Sequence, residues 1–263
     1  MIGNKPSIYN QPSIYNQGGA PSSVDVDING VVTTLVVPPY LVPVEYIDSS
    51  ELTGNLQIGL SSQIPAAADS SKYMIKAVLK QNLDKMTNNQ AYNIFGYSPY
   101  DNYNNNYELK ASTRVYNGNG LFVGVYGFNS KQFSNVDFTK KLTFRIDAAQ
   151  KRFTVSEENG TTQTYVDSRS YPSKNFTQIF AFNYNGNTIE SFRGRFYYAW
   201  ITKDDVIISA LIPCRSKDTN DKKPYIADVV SGAVGINNSE NLSTTGIEFG
   251  PDIDLDNFPN YFD

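Results

Sequence analysis

The sequence predicts an all-β protein, two sheets packed as a sandwich or jelly roll, and three observations lead there. From about residue 45 to 250 the chain runs through short β-type segments separated by clusters of Asn, Gly, Asp and Ser. Tyrosine (19) and phenylalanine (15) abound beside asparagine while leucine-rich amphipathic stretches are scarce, a balance that favours strands and tight turns over helices. Turn signals recur at strand spacing: Asn117-Gly118-Asn119-Gly120, Asn159-Gly160 and Asn185-Gly186-Asn187. A chain of 263 residues holds one sizeable β domain plus appendages, or two small domains.

Residues 1–22 read as an extended arm. The hexapeptide Pro-Ser-Ile-Tyr-Asn-Gln occurs twice in tandem, at 6–11 and 12–17, and a Gly/Ser/Pro joint follows. A repeat this short buries no core. Pro6 and Pro12 hold the backbone extended, and each copy carries an aliphatic–aromatic pair, Ile8 with Tyr9 and Ile14 with Tyr15. Hydrophobic anchors at fixed spacing on a chain that cannot fold alone point to docking on another protein. Residues 23–44 form a hairpin and connector. Val24–Ile28 alternates, Asn29-Gly30 supplies the two positions that tolerate positive φ, and a β-branched run follows until Pro38-Pro39. A lone hairpin is marginal in water, so this one is expected to pack on the main domain, a sister subunit or the attachment partner.

The main domain, 45–250, is predicted to carry strands at Tyr73–Leu79, Tyr92–Tyr97, Glu108–Tyr116, Leu121–Tyr126, Lys141–Asp147, Arg152–Glu157, Gln163–Asp167, Thr177–Tyr184, Gly194–Thr202 and Val206–Cys214. Lys80–Asn88 is the one stretch with helical character, and it also reads as a loop. Residues 251–263, acidic–aliphatic and then aromatic, are expected to be a second appendage, a tail disordered in water that serves as contact material.

The chemistry available is narrow. The chain has no histidine, which removes Ser-His-Asp and Cys-His catalysis and imidazole metal sites. Its single cysteine, Cys214, cannot form an internal disulfide, and at a strand end it reads as a small buried hydrophobe rather than a reactive thiol. Asp25–Gly30 matches the first half of a calcium loop, but Val36 stands where the bidentate acid belongs. Asp252, Asp254 and Asp256 resemble the alternating carboxylates of jelly-roll glycoside hydrolases, yet they lie in a proline-bounded tail rather than on a central strand. Trp200, inside an apolar run, reads as core. No catalytic residue, metal site or cofactor is therefore expected. With a net charge of −4 and no basic run, neither nucleic acid nor a membrane is an expected partner. With no apolar leader or membrane span, a soluble chain folding in a cytoplasm is expected.

One segment carries a binding reading. Tyr97, Tyr100, Tyr103 and Tyr107 interleave with Asp101, Asn105 and further asparagines. Tyrosine faces stack on sugar rings and amides hydrogen-bond hydroxyls, so an exposed loop of this kind suits host surface glycans. The same residues equally suit sheet edges or a subunit interface.

The order of motifs from Phe192 resembles a known family. Phe192-Arg193-Gly194-Arg195-Phe196-Tyr197-Tyr198-Ala199-Trp200-Ile201 precedes Leu211-Ile212-Pro213-Cys214-Arg215. Asp228-Val229-Val230-Ser231-Gly232 and Gly246-Ile247-Glu248-Phe249-Gly250-Pro251 follow. This is similar to the C-terminal half of concanavalin A-like (laminin-G-like) jelly rolls of phage and bacterial surface proteins, with Ala227 where the family's turn has tyrosine. Glu45–Ser50 with Leu56–Ile58 looks like the family's opening strand pair, and Asn93-Ile94-Phe95-Gly96 like its early turn. Lys5–Asn10 before a Gly-rich joint resembles the capsid-anchoring end of head-fibre and decoration proteins of tailed phages, including crAss-like phages. The resemblance implies a non-enzymatic virion protein, assembled in a host cytoplasm. Its arm would bind major capsid or other virion proteins and its jelly roll would project outward as a head fibre or decoration. Several weak arms hold better than one, so a homo-oligomer, dimer or trimer, is expected. The alternative is a tail-associated receptor-binding protein that recognises host surface glycans.

Overall fold

The computed structural model describes residues 22–28, 31–53, 58–63, 73–85, 91–97, 110–115, 121–124, 130–132, 136–137, 139–147, 150, 152–166, 176–179, 183–184, 187–188, 193–237 and 245–255. Among them the chain is all-β, and every strand pairing is antiparallel. One sheet runs in the order Thr162–Val166, Arg152–Glu157, Lys141–Asp147, Tyr73–Gln81, Gly194–Lys203, Val206–Ser216, Tyr225–Asp228 and Ala233–Asn237. That last strand also pairs with Ile58–Gln63, which opens a second sheet through Phe176–Ile179, Ala91–Tyr97, Lys110–Val115, Leu121–Gly124 and Ser130–Gln132. Tyr73–Gln81 lies between two strands far from it in sequence, the long returning connections of a jelly roll. This is the two-sheet, all-β architecture the sequence predicts.

The first sheet owes its two faces to simple alternation. In Lys141–Asp147 and Arg152–Glu157 the apolar members Leu142, Phe144, Phe153 and Val155 are buried, and the Phe144 and Phe153 rings meet at 6.2 Å. Register aligns these side chains in rows across the sheet. Val155, Phe144, Ala77, Ala199 and Leu211 stand side by side, and Leu142, Leu79 and Phe196 form the next row. The other face of the same strands is polar.

Where the expected elements differ, pairing is the reason. Lys80 and Gln81 extend the Tyr73–Gln81 strand because Lys80 pairs with both Lys141 and Arg195, a 3-10 turn follows at Leu83–Lys85, and the rest of the expected helical stretch, 86–88, lies outside the described residues. Thr177–Tyr184 is not one strand: Phe176–Ile179 joins the second sheet, whereas Asn183–Tyr184 pairs with Asn187–Thr188.

The hairpin forms between Ser22–Ile28 and Val31–Val37, with Ile28 opposite Val31 across Asn29-Gly30. Of the three packing partners open to it, the main domain takes its base. Leu35 and Val37 are fully buried against Trp200, Ile207, Ile212, Tyr225 and Val229, and the Val36 amide donates to the Val229 carbonyl at 2.7 Å. Further along the hairpin Val32 is 70% exposed.

Residues 251–255 correct the expectation of a free tail starting at 251. The Glu45 amide donates to the Pro251 carbonyl (2.9 Å), and Ile253 donates to Pro43 (3.0 Å). Asp252 accepts two bonds from the Arg215 guanidinium, at 2.8 and 2.6 Å, and Leu255 is buried beside the hairpin base. Pro251 does not end the domain, because the residues after it present an alternating face to an open sheet edge. Residues 256–263 lie outside the described residues.

Ile47–Asp48 is clamped onto Gly194–Lys203 by charge. The Asp48 carboxylate accepts from the Ser50 amide (2.9 Å) and from Arg195 Nε (2.8 Å), and the Arg195 guanidinium lies 4.4 Å from the Tyr46 ring centre. Burial alone would push this carboxyl up, but the bonds from Ser50 and Arg195 outweigh it and hold its pKa below the usual value. A depressed folded pKa contributes stability above the unfolded value, about 3.9, that is lost as pH falls through the folded one. Asp48→Asn is therefore expected to cost about 1.5–3 kcal/mol at pH 7. Urea melts should show the gap to wild type closing as pH falls below about 4. A gap that stays constant down to pH 2 would rule the clamp out as its source.

Candidate functional site

On the polar face of the first sheet, three rows set by register frame a groove. Thr162, Ser156, Thr143, Val78 and Tyr198 make the first, and Thr164, Thr154, Arg145, Lys76 and Trp200 the second. Val166, Arg152, Asp147, Met74, Thr202 and Ile207 make the third. The hairpin base and Leu255 cover the continuation of this face beyond Trp200, over Ala210, Ile212 and Cys214. What stays open is a groove of about 650 Å³ that runs from Thr162 and Thr164 to Trp200 and Ile207.

Hydroxyls and cations furnish it. The Thr154 and Thr164 hydroxyls are 3.2 Å apart, one donating to the other, and Thr162 donates to Ser156 at 3.1 Å. Arg145 and Arg152 approach one carboxylate oxygen of Asp147 from two sides, at 3.8 and 3.5 Å. Asp147 is itself fixed by the Gln150 amide at 3.0 Å. Both arginine Nε atoms are buried without a hydrogen-bond partner. At the closed end Lys76 sets its ammonium 4.2 Å from the Trp200 ring centre, and Tyr198 stacks on that ring at 5.3 Å. Trp200 is thus core, as expected from its apolar strand, and also the seam where the hairpin-covered half of the face meets the open half. Lys76, Arg145 and Arg152 line the groove with Asp205, and Asp147 sits beside the two arginines, so this surface is cationic in balance although the whole chain carries −4. An excess of positive charge in a concave surface favours ligand of the opposite sign. This arrangement can bind a ligand rich in hydroxyls and orient it by charge.

No protein-family model matches the chain, and no curated protein does. Similar solved structures include a native heptameric SAP-like pentraxin from Limulus polyphemus, at 14% identity and TM-score 0.41 over 59% of this chain and 74% of that one. The full-length tailspike protein 2 of Escherichia coli O157:H7 bacteriophage CAB120 is similar at 13% identity and TM-score 0.40, over 70% of this chain and 24% of the tailspike. The CBM40 of the Ruminococcus gnavus IT-sialidase, bound to alpha2,3 sialyllactose, is similar at 12% identity and TM-score 0.36, over 59% of this chain and 95% of that one. Likeness this distant leaves the groove's ligand to be judged from its own side chains.

The groove is not where the sequence points. Tyr97 closes the strand Ala91–Tyr97, opposite Thr177 in the second sheet, and so does not belong to the three rows. Tyr100, Asp101, Tyr103, Asn105 and Tyr107 lie outside the described residues, as do the arm residues Pro6, Ile8, Tyr9, Pro12, Ile14 and Tyr15. Cys214 is fully buried under the hairpin base, and burial pushes its thiol pKa far up, as suits a small core residue. Asp25 accepts from the Thr34 hydroxyl across the hairpin at 2.6 Å, and Asp252 is held by Arg215, so each has a structural partner. The groove residues were missed because each strand shows only its own polar alternation. Polar residues at every second position, Thr143, Arg145 and Asp147 on one strand and Arg152, Thr154 and Ser156 on the next, were the available signal.

Proposed function

We propose that this chain is a non-enzymatic virion protein that binds carbohydrate through the groove and is attached to its particle by the N-terminal arm. The groove carries the binding half: rows of paired hydroxyls beside arginines, on an otherwise acidic chain, suit a polyol far better than an apolar ligand. Thr154 stands in its middle. Full-length protein is expected to bind host surface polysaccharide, and Thr154→Trp, which fills the groove, to abolish binding without lowering the melting temperature. Undiminished binding by that variant, or no binding to any host surface extract, sinks this half.

The doubled Pro-Ser-Ile-Tyr-Asn-Gln supports the attachment half, since it supplies two Ile-Tyr anchors ahead of a flexible joint. Major capsid protein or another virion protein would receive it, making the chain a head fibre or capsid decoration; a tail location would make it a receptor-binding protein. Arms presented by a dimer or trimer would combine weak sites into firm attachment. Removal of residues 1–21 is expected to leave a folded domain that no longer joins particles. Normal incorporation of that truncation would remove the arm from the account.

A further inference from the structure

Resting on the carbohydrate reading of the groove, we infer that its ligand is an acidic glycan, with a sugar carboxylate seated between Arg145 and Arg152. The charge count motivates this. Lys76, Arg145 and Arg152 line the groove with positive charge, against Asp205 in the lining and Asp147 beside the two arginines.

The arginines are also unspent. A guanidinium has five N–H donors in a planar fork that matches a carboxylate. Here each has one ion-pair distance, 3.8 or 3.5 Å, to the same Asp147 oxygen, and that contact engages only the Nη2 end of each fork. Asp147 therefore holds the two forks near each other without saturating them. Lys76 differs, being placed over Trp200 at the closed end. The threonine and serine rows flanking Arg145 supply donors and acceptors for the sugar hydroxyls, which an acidic peptide lacks.

The test is calorimetric titration of full-length protein with 3′-sialyllactose against lactose, and with trigalacturonate against the same trisaccharide after carboxyl reduction. The two pairs separate a sialate from a uronate source. At least one acid form is expected to bind tenfold or more tightly than its neutral partner, with affinity falling as salt is raised from 20 to 500 mM, since screening weakens partly exposed charge pairs. Arg145→Gln with Arg152→Gln should erase the preference yet keep the weaker neutral binding. If that double variant fails to fold, Arg145→Lys serves instead: it keeps the charge, loses the fork, and should reduce the preference. Equal binding of acid and reduced forms, insensitive to salt, overturns the acidic-glycan inference and leaves carbohydrate binding standing. Preference for a tetraglutamate peptide over every acidic saccharide overturns it too. If no saccharide binds, wild type or Thr154→Trp, the carbohydrate reading itself fails and this inference with it.

Discussion

Gly246→Ala is expected to destabilise the domain by about 2–5 kcal/mol, the sum of a left-handed backbone penalty and an overpacking term. Gly246 has φ +87°, and a Cβ there would collide with the carbonyl oxygen and carbon of Glu51. Both obstacles are backbone, so no side chain can swing aside. The Glu51 segment cannot easily retreat either. Leu52 is buried, its carbonyl accepts from Arg193 at 2.9 Å, and the Thr53 amide donates to Thr245 at 3.1 Å. A fall of roughly 5–20 °C in melting temperature should be seen. Gly232 supplies the control: its φ is +74°, but nothing lies within 4 Å of its missing Cβ. Gly232→Ala should cost only about 1–2 kcal/mol, the backbone penalty alone. Equal losses at the two positions would show that the collision with Glu51 is not the cause.

Asp228→Ala is expected to cost about 3–5 kcal/mol, as when one member of a buried charged network is removed. The carboxylate is fully buried and accepts from the Ser209 hydroxyl (3.0 Å), the Ala210 amide (3.1 Å), the Val230 amide (3.2 Å) and the Ser231 hydroxyl (2.8 Å). It thereby ties the turn after Tyr225–Asp228 to the neighbouring strand. Alanine would orphan the buried Ser209 hydroxyl and Ala210 amide and release the half-buried Val230 amide and the more exposed Ser231 hydroxyl. The damage should spread, because the Val229 amide donates to Ala210 and the Val229 carbonyl receives the Val36 amide of the hairpin. Faster hydrogen exchange at Val36 in Asp228→Ala is therefore expected alongside the earlier urea midpoint. Asp228→Asn retains one acceptor oxygen and should lose about half as much. Unchanged exchange at Val36 would show that turn and hairpin are held independently.

Most strands of six residues or more were legible because their polar–apolar period has room to repeat, Ile58–Gln63 being an exception. Lys141–Asp147 and Arg152–Glu157 fall where the alternation places them, and Asn29-Gly30 located the hairpin. Leu41–Pro43 and Glu248–Phe249 are too short to show a period, and they are strands only because Cys214–Ser216 and Ile47–Asp48 lie beside them. The same limit governs the groove. That Lys141–Asp147 has a polar face is local information. That this face puts Arg145 next to Lys76 is a property of pairing between segments more than sixty residues apart, which no local pattern encodes. Pro251–Leu255 was misjudged for a related reason: its alternation was visible, but the sheet edge it covers was not.

The hairpin has a mechanical consequence. Ser22, where the described chain begins, pairs with Val37 at the buried base, and the turn lies at the far end. Tension applied at Ser22 would open the pairs one after another from Ser22–Val37 toward Ile28–Val31, like a zipper. Such opening needs little force because each step breaks only the pair at the fork. The stretch from Ser22 to Thr34 would then lengthen to roughly 45 Å at about 3.4 Å per residue before the load reached Leu35 in the core. The hairpin would behave as a reversible slack element, able to yield and re-form while the domain behind it stays folded.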